Sequence, residues 1–127
     1  MSEHYPAQYD ALNHEHAEIQ DELSQLQAAG DETPNVTAFR QRLWDFLQLL
    51  QQHHRHEEDI MSETTYPDAA LHTAYHRHSA GVIDTIIRLY DADATAELGE
   101  RIAAHVANAV QEEIFFDRQL MAFLSDR

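Results

Sequence analysis

The chain has no cysteine and no lysine, and each absence removes a class of chemistry. Without a thiol there are no disulfides, thiolate zinc sites, iron–sulfur clusters or cysteine nucleophiles, so any bound metal must be held by nitrogen and oxygen. Without lysine, the eight basic residues are all arginine. They face 23 acids, and the formal net charge of -15 argues against nucleic acid as a partner. No apolar run approaches the roughly 20 residues of a membrane span, so no membrane partner is expected. The opening Met-Ser-Glu-His-Tyr-Pro lacks the basic and apolar regions of a signal peptide. A soluble cytoplasmic protein is the expectation. At 127 residues a single domain over 1–127 is expected too, long enough to bury a core without staples.

Most of the acids are scattered singly and read as a solvated surface. The ten histidines are less easily dispersed, because they fall mainly at 14 and 16, at 53 to 56 and at 72 to 78, with His105 apart.

Apolar residues recur at helical spacing, and strand alternation is not sustained anywhere, so the fold class is all-α. A first helix is expected from about Ala7 to Ala28, with Leu12, Ile19, Leu23 and Leu26 inward and a stop before Gly30. Gly30-Asp-Glu-Thr-Pro-Asn reads as a turn. A second helix, from about Val36 to Ser62, carries Phe39, Leu43, Phe46, Leu50, His53, Glu57 and Ile60 in steps of three or four. Tyr66-Pro67-Asp68 separates it from a third, about Ala69 to Tyr90, with His72, His76, Ser79, Ile83, Ile86 and Tyr90 on one face. Asp91-Ala-Asp-Ala-Thr supplies a short connection and an N-cap. The last helix, about Ala96 to Leu124, is expected to bury Leu98, Ile102, Val106, Ala109, Phe116, Leu120 and Phe123. Short connections make neighbours antiparallel, giving an up-down-up-down four-helix bundle.

Polar residues interrupt these apolar stripes. His53 and Glu57 are four apart, about 40° around the helix and about 6 Å along it, so both can face one ion. They stand where a core places Leu or Ile, and a buried carboxylate needs a proton, a partner or a metal. His72 and His76 repeat the spacing, and two imidazoles one turn apart gain little from each other without an ion. His16 lies between Leu12 and Ile19 on the inner face of the first helix. Five metal-competent side chains thus point inward from three helices. His14, His54, His56 and His78 fall about 100° to 200° from the ligand-bearing faces and are expected to be solvated.

At these residues the sequence resembles the hemerythrin family, including its HHE cation-binding domains. Leu12-Asn-His-Glu-His16-Ala-Glu-Ile19 is similar to the first-helix element, in which a ligand histidine follows a leucine by four and precedes an aliphatic by three. His53-His-Arg-His-Glu57-Glu58-Asp-Ile-Met61 resembles the second-helix signature, and His72-Thr-Ala-Tyr-His76 the third-helix pair of the hemerythrins proper. The fourth helix departs from the pattern. Hemerythrins proper place an Asp five after a ligand His, where His105 has Val110; HHE domains place a Glu four after it, where His105 has Ala109. A second register, Asn108 to Phe116, parallels His53 to Met61 and makes Glu112 the carboxylate in preference to Glu113, with Asn108 in the histidine's place. Both Glu112 and His105 stay candidates; the other role for His105 is a hydrogen bond to a ligand carboxylate from one turn outside the site.

The resemblance implies two iron ions bridged by carboxylates and an oxygen atom, with a position open to dioxygen. Its ligands would be His16, His53, Glu57, His72 and His76, completed by Glu112 and His105, with Glu57 as a bridge. Binding or sensing dioxygen or a related small oxidant, rather than turnover, is the leading expectation. Alternatives are a mononuclear iron or zinc site, and a di-iron oxidase or peroxidase-like enzyme with Tyr9, Tyr66 or Tyr75 relaying electrons. A further alternative is an iron or zinc buffer or sensor acting through a partner protein; a homo-oligomer or an unidentified protein partner is allowed for.

Overall fold

The structure is a computed structural model that describes residues 5–31, 36–92 and 96–125. Its four helices are α1 (Pro6–Asp31), α2 (Val36–Glu63), α3 (Ala69–Ala92) and α4 (Ala96–Ser125). Each runs one to three residues past the end read from periodicity, and α1 continues through Gly30 instead of stopping before it. Such end differences are within what fraying and assignment allow. The rest of the expected turn after α1, and the expected N-cap at Thr95, lie outside the described residues.

Contacts between chain-distant residues fix the directions. The Tyr5 amide donates to the Leu124 carbonyl at 2.8 Å and Gln111 donates to Gln20, so α1 and α4 run oppositely. Arg42 meets Gln25 while His53 meets Glu15, which sets α2 against α1. Phe39 packs on Tyr90 while Glu57 meets His72, which sets α3 against α2. The result is the up-down-up-down bundle.

Two apolar clusters divide its length. The larger holds Leu23, Leu26, Phe39, Leu43, Leu50, Ile83, Ile87, Tyr90, Ile102, Val106 and Val110. The smaller holds Leu12, Ile60, Met61, Tyr66, Leu120 and Leu124. Between them every helix contributes a polar turn. On α3 the buried residue is Ile87, with Ile86 only partly covered; on α4 the buried stripe is Ile102, Val106, Val110, Glu113, Asp117, Leu120 and Leu124. That displaces the expected inward positions Ala109, Phe116 and Phe123, which are only partly buried. In this phase Val110 and Leu124 are buried in place of Ala109, and the Phe rings cover the edges, Phe116 against Tyr75 and Phe123 against Tyr66.

The α2–α3 corner sets the level of the third helix. The Tyr66 amide donates to the Met61 carbonyl at 3.0 Å and Thr65 to Ser62 at 3.3 Å, the paired bonds of a Schellman stop. Thr65 takes the left-handed position with φ 55°, where a β-branched residue is strained. Met61 and Tyr66 both enter the smaller cluster, Pro67 prevents resumption of the helix, and the His72 amide bonds Asp68 at 3.0 Å. His72 is thereby delivered opposite Glu57.

Candidate metal centre

Glu57 is fully buried, and its two oxygens face different helices. Oε2 stands 3.2 Å from His16 Nε2 and 3.0 Å from His53 Nε2. Oε1 accepts from His72 Nε2 at 3.0 Å and from His76 Nε2 at 2.8 Å. Asp117, on α4, divides in the same way: Oδ2 is 3.2 Å from His16 and 3.9 Å from His53, and Oδ1 is 2.8 Å from His72. Two ligand groups result, His16/His53/Glu57/Asp117 and His72/His76/Glu57/Asp117, sharing both carboxylates.

The outer nitrogens of two rings are tied down. His53 Nδ1 donates to Glu15 at 2.9 Å and His76 Nδ1 to Glu58 at 3.1 Å, which turns each Nε2 toward the centre. Glu15 also pairs with His56 at the surface.

Burial opposes charging these histidines, but the Asp117 and Glu57 carboxylates overcome it, lifting His16 and His72 to about 9 and His53 to about 11. Burial likewise raises Glu57 and Asp117, yet the surrounding imidazoles hold both below the ordinary carboxylate range. Without a cation of another kind, protons neutralise this centre. Hydrogen bonding at the centre is nevertheless incomplete: His53 Nε2 and both Asp117 oxygens are among the buried atoms without a partner in hydrogen-bond geometry. Unpartnered buried donors and acceptors aimed at one point fit a metal, and imidazole with carboxylate suits iron.

A helical bundle that converges four histidines and two carboxylates is a metal-binding protein by construction. A family model, the hemerythrin HHE cation-binding domain, matches residues 7–123, and the chain belongs to that family. Comparison with curated proteins gives no match. Comparison with solved structures gives none either.

Of the residues expected from sequence, His16, His53, Glu57, His72 and His76 come together here. His105 and Glu112 do not: both are exposed. His105 is twelve residues before Asp117, about 18 Å along the axis, and Glu112 is turned about 100° from the buried Glu113. Asp117 takes the fourth-helix place that neither register had offered it. His54, expected in solvent, is buried against Glu113, because it faces α4 across the bundle. The signal for Asp117 was available: Val106, Val110, Glu113, Asp117, Leu120 and Leu124 repeat the 4-3-4-3-4 steps that Phe39 to Glu57 follow in α2.

Proposed function

We propose that this protein holds two iron ions, one between His16 and His53 and one between His72 and His76, with Glu57 and Asp117 bridging. Its role in the cytoplasm would be to bind or sense dioxygen or a related small oxidant. The observation that carries this reading is the division of both carboxylates, one oxygen to each histidine pair. A single ion would leave half of those donors without purpose.

When bound, two neighbouring irons supply the electrons that hold a small oxidant reversibly. The chain's own residues set the conditions. Glu15 and Glu58 fix the rings of His53 and His76, and the two apolar clusters keep bulk water from the centre along the bundle axis. A cleft of about 170 Å³ between α1 and α2, lined by Glu15, Ile19, Leu49 and His53, offers room for a small molecule beside His53. A sensor of this size would pass its state to a separate chain.

The test is the absorption spectrum of iron-loaded protein, without oxygen and then with it. A near-ultraviolet band that appears with oxygen and reverses on its removal supports the reading; an unchanged spectrum contradicts it. An oxidase or peroxidase-like activity is favoured by one feature, the buried Tyr66 ring 6.4 Å from His72 and edge-on to it, a route for electrons. Peroxide turnover that falls in Tyr66→Phe would select that reading.

A further inference from the structure

Beside the centre lies a third group of donors, two of which the bridged arrangement does not use. His54 on α2, His76 on α3 and Glu113 on α4 have ligand atoms all within 4.8 Å of one another. All three are more than nine-tenths buried. His54 Nε2 is hydrogen-bonded to Glu113 Oε1, and the His54 ring lies flat on His76, centroids 4.0 Å apart and planes 6° from parallel. Glu113 is one turn before Asp117 on the same face of α4, whereas its neighbour Glu112 is exposed.

A carboxylate in this place is costly unless it is used. Burying an ion pair in a core is often no better than an apolar pair of the same volume, so His54 and Glu113 contribute little to stability as a pair alone. The shared partner is His76, whose Nε2 also faces Glu57. Donors on opposite sides of one ion stand about 4 Å apart, so separations of this size suit a common ion.

We propose that Glu113 is a metal ligand on the His76 side of the centre, with His54 orienting its carboxylate. This rests on the two-ion reading above. It makes the site asymmetric: the His16/His53 ion has two imidazoles and the two bridges, while the His72/His76 ion has a third carboxylate. Added negative charge favours a hard, highly charged cation there, ferric iron over zinc.

The experiment compares wild type, Glu113→Gln, Glu113→His and Glu112→Gln by calorimetric titration of the metal-free protein with ferrous iron under nitrogen. Glu113→Gln preserves shape and can still accept a hydrogen bond from His54, so a merely structural role survives it. The proposal expects the second equivalent to weaken at least tenfold in Glu113→Gln. Glu113→His, which returns a donor, should recover much of it, and Glu112→Gln should match wild type. Two unchanged equivalents in Glu113→Gln would overturn the assignment and leave the two-ion reading standing. A third equivalent in wild type that Glu113→Gln loses would also overturn it, by showing a separate cation position. No uptake by wild type would instead remove the reading beneath it.

Discussion

Replacing Asp117 by asparagine tests the residue on which both halves of the centre depend. The side chain is 2% exposed, and its oxygens reach His16 at 3.2 Å and His72 at 2.8 Å. The amide keeps the volume and removes the charge. In metal-free protein near pH 6, the substitution leaves His16 and His72 with Glu57 as their remaining buried counter-charge. Removing one partner of a buried pair costs about 3–5 kcal/mol, and the isosteric amide belongs at the low end, about 3 kcal/mol. At about 4 °C per kcal/mol for a domain of this size, Tm should fall by about 12 °C. With metal the effect is of a different kind, because one bridge is lost to both ions and both equivalents should weaken. Even outer partners of ligands change affinity by about 10–100-fold, so a bridging ligand should change it by at least that. Thermal unfolding with chelator, and iron titration without it, read the two effects separately. Glu112→Gln removes the same charge from an exposed position and should stay within about 0.5 kcal/mol of wild type. An Asp117→Asn protein with wild-type Tm and wild-type iron uptake would refute the placement of Asp117 between the histidine pairs.

Three other outcomes are expected. Thr65→Gly relieves a left-handed β-branched residue and should raise stability by about 1 kcal/mol in denaturant titration; a loss of stability would mean the Thr65 side chain contributes more than its strain costs. Glu57→Ala should empty the site, while Glu58→Ala, which loses only the hydrogen bond to His76 Nδ1, should lower iron affinity without abolishing it; equal losses by elemental analysis would contradict the geometry. The third concerns pH. His16 and His72 are raised from 6.5 to about 9 and His53 to about 11, so their contribution to metal-free stability is complete below 6.5 and is lost as pH climbs through those values. Glu57 and Asp117 are lowered, so theirs is present above their ordinary values of 4.5 and 3.8 and is lost on acidification. Metal-free Tm should therefore be highest between about pH 4.5 and 6.5, whereas the Tm gain from metal should grow above about pH 6.5 as protons leave the ligands. A metal-free Tm that rises from about pH 6.5 to 9 would contradict this balance.

The bundle was legible because its apolar residues keep helical spacing over four long segments. On α2 the stripe from Phe39 runs without a break into His53 and Glu57, so the polar pair could be placed inward from the sequence. On α4 the same stripe exists, but the aromatic Phe116 and Phe123 drew the reading to a phase one position away. That phase exposed Asp117 on paper and favoured Glu112. Matching templates to His105, the one histidine of the last helix, pulled the same way, whereas His105 is exposed and about 18 Å along the axis from Asp117. His54 was missed for a related reason. Its angle of about 100° from His53 suggested solvent, yet in a four-helix bundle that direction is still covered by a neighbouring helix, and His54 lies between His76 of α3 and Glu113 of α4. Partners such as Glu15 for His53 and Glu58 for His76 depend on distances between helices, which periodicity within one helix does not carry.

The most direct measurement is iron per chain, by elemental analysis of protein loaded with ferrous iron under nitrogen and freed of excess by gel filtration. Glu57 and Asp117 each turning one oxygen to each histidine pair predicts two irons per chain, retained together. One iron per chain, or none, would contradict the bridged pair at the centre of this account.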